Sequence, residues 1–270
     1  AQEAGARVML QINHSGAGCD PAVNPDPVSP SGIATHDLVR PRVMSSEDVR
    51  QAIESFGQAA RRARAAGFDG VQIHGAHGYL VSQFLMPGTN RRDDAWGGDP
   101  ARRCAFLQAV VAEIRRQVGA DYPLWIKLGV ASSEEMGLTS AEGAMVAAAC
   151  RDWGIDCIEL SVAAGTPAAL QRKGEAPFLP LAEAAREALG PGYPLALVNG
   201  FRSRAVMDAV LAGGVVQLIS LCRPLIAEPD LPEKLRSGSA TRAACTSCDH
   251  CWPDGPGEGI TCKRGRKATL

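Results

Sequence analysis

Gly67-Phe68-Asp69-Gly70-Val71-Gln72-Ile73-His74-Gly75-Ala76-His77-Gly78-Tyr79-Leu80 is the stretch on which the fold turns. Residues 70–73 form a short apolar run, the pattern of a strand buried on both faces. Two imidazoles and a phenol follow within six residues. All three can donate hydrogen bonds to one ligand oxygen, and the phenol can also deliver a proton. The same residues would equally serve a loop whose histidines cap the next helix. A metal held by His74 and His77 is a third use, but no carboxylate in the loop completes such a site.

Outward from this loop, apolar runs recur at residues 8–12, 124–128, 157–160, 195–198 and 215–221. Between them lie helical stripes at 46–66, 100–118, 139–154, 181–189 and 204–212. Thr139-Ser140-Ala141-Glu142 has the spacing of a capping box. Strand and helix alternating through six strands predicts an α/β fold with a parallel sheet, either doubly wound or a (β/α)8 TIM-type barrel. Gln11, His74, Lys127, Ser161 and Asn199 fall at the C-terminal ends of the strands, and Arg223 follows the last one. In a barrel those ends converge on one mouth, which favours the barrel, with six of its eight strands in this chain.

Composition narrows the function. The 270 residues are 46% hydrophobic and 21% charged, with a net charge of -1. Such a chain is globular rather than a solvated polymer. It has no basic field for nucleic acid or an anionic membrane. No apolar run of about 18 residues is present, so no spanning helix is expected. Residues 1–6 have neither a basic start nor an apolar run, so no signal peptide is expected. A strand-like segment follows at once, as in a chain that begins in mid-fold. Nine cysteines, an odd number, point to a reducing cytoplasm rather than a disulfide framework.

Several further residues can carry chemistry. Lys127 is a charge inside an apolar strand; it either faces negative charge developing on a ligand or snorkels to the mouth. Asn199-Gly200-Phe201-Arg202 and Cys222-Arg223-Pro224 follow adjacent strands and together suggest a phosphate cradle. From about Gly238 the chain turns Cys-, Gly- and Pro-rich. The expected division is residues 1–238 as the barrel and 239–270 as a cysteine-rich tail. Cys245, Cys248, Cys251 and Cys262 suit an iron–sulfur cluster or Zn2+, or are unused thiols. The basic run 263–267 reads as solvated, and the charged segment 90–98 as a loop.

In order, these segments resemble the Old Yellow Enzyme family of NADH:flavin oxidoreductases, over almost the whole chain. Residues 10–16 resemble the family's third-strand signature, with Ala17 where arginine is common. Residues 67–85 resemble its most specific block, and 90–98 another, with Trp96 in place of tyrosine. Residues 223–231 resemble the end of the last strand and its helix. The resemblance implies a barrel with FMN at its mouth. Gln11 would meet the flavin pyrimidine and Lys127 its N1 and O2. Asn199, Gly200, Cys222 (commonly glycine) and Arg223 would hold the phosphate. His74 and His77 would hold a substrate carbonyl oxygen, and Tyr79 would give the proton. NADH or NADPH would reduce the flavin, which passes hydride to an activated alkene, an enoyl compound or other α,β-unsaturated carbonyl. The cysteine tail is similar to that of the 2,4-dienoyl-CoA reductase branch, whose four cysteines hold a 4Fe–4S cluster. The first two strands of the family barrel are not represented, which predicts a fragment of a longer product. A non-catalytic remnant of a flavin barrel, acting in structure or interaction, is the competing expectation. A phosphate-binding barrel of unrelated chemistry explains less of the motif series.

Overall fold

The computed structural model describes residues 1–35, 40–171, 174–253 and 258–264. The central sheet has six strands: β1 (Met9–Ile12), β2 (Gly70–Gly75), β3 (Leu124–Gly129), β4 (Cys157–Ser161), β5 (Leu195–Val198) and β6 (Leu218–Ser220). All are parallel, and each pairs with its neighbour in the chain. Parallel neighbours require crossovers, and helices supply them. The main ones are α1 (Ser46–Ala65), α3 (Pro100–Val118), α4 (Ser140–Asp152), α5 (Leu179–Leu189) and α6 (Arg204–Ala212), with the shorter α2 (Leu80–Leu85), α7 (Arg223–Ala227) and α8 (Leu231–Ser237). Residues 28–29 and 42–43 make a separate small parallel pair that the sequence pattern does not announce. The six strands form part of a TIM-type barrel. Among the described residues, β1 and β6 each have one neighbour in this sheet, and Leu218 is 40% exposed.

Two of the long helices begin at capping boxes, while α5 starts two residues before the expected stripe 181–189. Ser45 and Asp48 form a capping box on α1, and Thr139 and Glu142 form the expected one on α4. Phe84 and Phe106 stack with centroids 4.2 Å apart, and Phe56 meets Phe106 edge-on. These rings tie α1, α2 and α3 into one buried layer. α4 lies so close to the exit of β3 that a Cβ at Gly143 would overlap the Val130 carbonyl. The last strand is shorter than the apolar run 215–221 suggests. The Val215 carbonyl accepts from Arg186 instead of joining the ladder, and Val216 is buried in the turn.

Register builds the site. His74 lies beside Lys127, Lys127 beside Glu159, Glu159 beside Ala196, and Ala196 beside Leu218. Side chains alternate faces along a strand, so this row shares one face with Gln72, two residues before His74. Gln11 is the register partner of Gln72. Among the described residues no helix is long and apolar enough to cross a membrane.

Candidate active site

The exit of β2 bends sharply. His77 and Gly78 both have left-handed backbones, φ 59° and 77°. Their amides donate to the Val162 and Ala163 carbonyls beyond β4, at 3.1 and 2.5 Å. Gln83, fully buried on α2, donates to the Gly78 carbonyl at 2.5 Å and accepts from the Ala17 amide at 3.2 Å. The turn brings the two imidazoles together, His74 Nε2 lying 3.2 Å from His77 Nδ1. His77 Nε2 lies 2.8 Å from Ser161 Oγ. His74 Nδ1 is buried and has no hydrogen-bond partner among the described residues. Burial, helped by the neighbouring His77 and Lys127 charges, lowers the His74 pKa to about 4. Burial and Lys127 lower that of His77 equally, to about 4. Both rings are therefore neutral near pH 7.

Lys127 Nζ donates to Glu159 Oε1 at 2.7 Å. Gln72 Nε2 donates to the other carboxylate oxygen at 2.9 Å. Gln11 Nε2 in turn donates to Gln72 Oε1 at 2.7 Å. Burial pushes the Glu159 carboxyl up, but the charge and hydrogen bond of Lys127, with bonds from Gln72 and Ser220, outweigh it and hold the group below its ordinary range. Glu159 and Gln72 are absent from the sequence-based candidates. The available signal was a carboxylate alone in an apolar strand, the same oddity that marks Lys127.

Gln11, His74, His77, Lys127, Asn199, Gly200, Cys222 and Arg223 all line one cavity of about 550 Å³. Ser161, Phe178 and Ser220 line it too, with Trp252 reaching in from the tail. Tyr79 is the exception. It is not part of this lining and packs its ring edge-on against His74, centroids 5.0 Å apart. Asn199 and Gly200 both have left-handed backbones, φ 89° and 79°. Such successive amides form a concave turn suited to an anion. The start of α6 does not contribute to it, because the amides of Arg202 and Ser203 are already bonded by the Glu175 carboxylate, each at 2.7 Å. Arg223 is paired with Asp249 of the tail.

The lining suits an FMN. A cavity of this size matches a cofactor site. It holds a cation between His74 and Glu159, a carboxamide from β1, and an amide turn with an arginine beyond. The tail docks onto the barrel through Arg204 and Ala243, whose amides donate to Thr241 and Arg202. Cys245, Cys248, Cys251 and Cys262 are free thiols around one cavity of about 20 Å³. Among the described residues no three His, Cys, Asp or Glu side chains are drawn into a metal-holding group. Of the basic run, residues 265–267 lie outside the described residues.

The chain is similar to an NADH oxidase of Thermoanaerobacter brockii, 32% identical over 253 residues. That match covers 91% of this chain and 39% of the oxidase. Among solved structures it resembles morphinone reductase in complex with tetrahydroNAD, with a TM-score of 0.75 and 26% identity over 91% of this chain and 70% of that one. It also resembles a 2-naphthoyl-CoA reductase complexed with 2-naphthoyl-CoA, with a TM-score of 0.73 and 30% identity over 88% of this chain and 36% of that one. The chain thus spans about two fifths of the oxidase. The NADH:flavin oxidoreductase / NADH oxidase profile matches residues 1–242, which takes in all six strands and every residue lining the cavity except Trp252. On that match the chain belongs to the NADH:flavin oxidoreductase / NADH oxidase family.

Proposed function

We propose that the protein is an FMN-dependent NAD(P)H oxidoreductase that reduces an activated alkene. The observation that carries this reading is convergence. Residues from all six strands of the sheet and from the loops that follow them, far apart in the chain, line a single cavity with the donors and charges a flavin requires. Bound there, FMN would supply hydride transfer, taking hydride from the nicotinamide and giving it to the alkene, while the protein binds, orients and polarises.

In this reading the Gln11 amide meets the pyrimidine edge and Lys127 offsets negative charge on the reduced ring. The Asn199, Gly200 and Cys222 amides take the phosphate, and Arg223 exchanges Asp249 for it. The neutral histidines form a directed relay. Ser161 Oγ–H donates to His77 Nε2, and His77 Nδ1–H donates to His74 Nε2. His74 Nδ1 is buried, so the donor to a substrate carbonyl oxygen is the exposed His77 ring, which exchanges one of these hydrogen bonds for the ligand with His74 held beside it. Tyr79, against the edge of His74, supplies the proton to the alkene carbon next to the carbonyl.

Residues 1–238 form the flavin-binding part and 239–270 the tail. The four tail cysteines are the place for a 4Fe–4S cluster or zinc, and a soft-metal donor set is what four free thiols offer. A cytoplasmic setting and a small enoyl or α,β-unsaturated carbonyl substrate accompany this reading. The decisive experiment is the visible spectrum of protein purified without added cofactor. Flavin bands that bleach with NADH or NADPH are expected, and iron and sulfide analysis reports on the cysteines. A colourless, folded protein that declines added FMN would overturn the proposal in favour of a non-catalytic barrel.

A further inference from the structure

We infer that Glu159 is a positioning residue of the flavin site, anchoring the Lys127 ammonium and, through Gln72, dictating which end of the Gln11 amide faces the cavity. The inference rests on the flavin reading above. Three donors converge on this carboxylate from three other strands: Lys127 on β3, Gln72 on β2 and Ser220 on β6. The Lys127 and Glu159 side chains are 14% and 10% exposed, so little water competes.

The charge of Glu159 fixes the direction of the hydrogen bonds. An ionised carboxylate only accepts. Gln72 must therefore turn its NH2 toward Glu159 and its carbonyl toward Gln11. Gln11 must answer with its own NH2, at 2.7 Å. The Gln11 carbonyl is then the group left to accept from a ligand N–H, the complement of a pyrimidine ring edge. One buried charge thus sets the polarity of a relay crossing from β4 to β1. It also offsets the positive field of Lys127, so the site holds a cation that is fixed in place and partly neutralised.

Glu159→Gln tests this. The substituted amide can donate as well as accept, so the relay loses its direction and Lys127 its counter-charge. In the flavin-loaded protein the preference for reduced over oxidised FMN is expected to rise about tenfold, read as a midpoint potential about 30 mV higher. The flavin-free protein provides a separate readout, the rate at which acetic anhydride acetylates Lys127, followed by mass spectrometry. That rate should rise severalfold in Glu159→Gln. Wild-type protein that binds no FMN would sink the flavin reading alone, and the acetylation rate would still decide the anchoring. Unchanged acetylation in a folded variant overturns the inference, as does an unchanged potential. Should Glu159→Gln not fold, Glu159→Asp retracts the charge by one methylene and should give smaller changes in the same directions; no change in either readout overturns the inference.

Discussion

Replacing Lys127 by Met removes one half of a buried ion pair and leaves the other. The pair is 2.7 Å apart, with both side chains at least 86% shielded from water. Stranding one buried charge costs about 3–5 kcal/mol. Glu159 would keep its bonds from Gln72 and Ser220, which places the expected loss near the lower end, about 3 kcal/mol at pH 7. Its pH dependence identifies the cause. In the wild type the Glu159 carboxyl sits below its ordinary value, so its stabilisation is present above the unfolded carboxyl pKa of about 4.3 and is lost as pH falls through the lower folded value. Without Lys127, burial dominates and the folded value moves above the unfolded one. The penalty is then full at pH 7 and fades on acidification, as the carboxyl takes up a proton. Urea unfolding of wild type, Lys127→Met and Lys127→Met/Glu159→Gln at pH 7 and near pH 5 measures this. The double variant should recover most of the loss. A loss under about 1 kcal/mol at pH 7, or one that does not shrink toward pH 5, would refute the reasoning.

Three other outcomes are expected. The His74 and His77 ring signals should not titrate between pH 5.5 and 8 in NMR, since both rings are held near pKa 4. Because the unfolded rings take up protons first, near about pH 6.5, stability should decline as pH falls from there toward 4; a titration centred above 6 would remove the desolvated pair. Tyr79→Phe should slow the alkene half-reaction about 100-fold while flavin reduction by NAD(P)H stays within about twofold, and equal losses in stopped-flow would exclude Tyr79 as proton donor. Gly143→Ala should cost about 3 kcal/mol in a denaturation curve, because its Cβ would overlap the Val130 carbonyl. A neutral result would mean that α4 can shift away from β3.

The strands and the His74–Tyr79 loop were legible because both leave local marks. Apolar runs between helical stripes predict parallel strands, and all six are present. Polar residues at strand ends predict a common mouth, and eight of the candidates line one cavity. What escaped depends on partners remote in sequence. Glu159 is one charge in an apolar strand until register sets it beside Lys127. Glu175 occupies the Arg202 and Ser203 amides from the preceding loop, so the helix start beside the expected phosphate cradle is already satisfied. Arg223 reads as a free cation, yet Asp249 meets it from 26 residues away. Tyr79 sits beside His74 outside the cavity lining, because it starts α2, whose residues are wholly buried.

The sheet order repeats the chain order from β1 to β6. Each new strand therefore finds its partner in the unit just completed, and no later segment has to be threaded between two earlier ones. Loop closure at each step spans one crossover only, which keeps its entropic cost low for a parallel sheet. A chain emerging from the ribosome can build such a sheet by accretion, adding one strand and helix at a time to a finished edge. The active-site row then matures in the same order. The His74 strand is made first, Lys127 and Glu159 arrive in turn, and Ser220 comes last to close the ring of donors around the carboxylate.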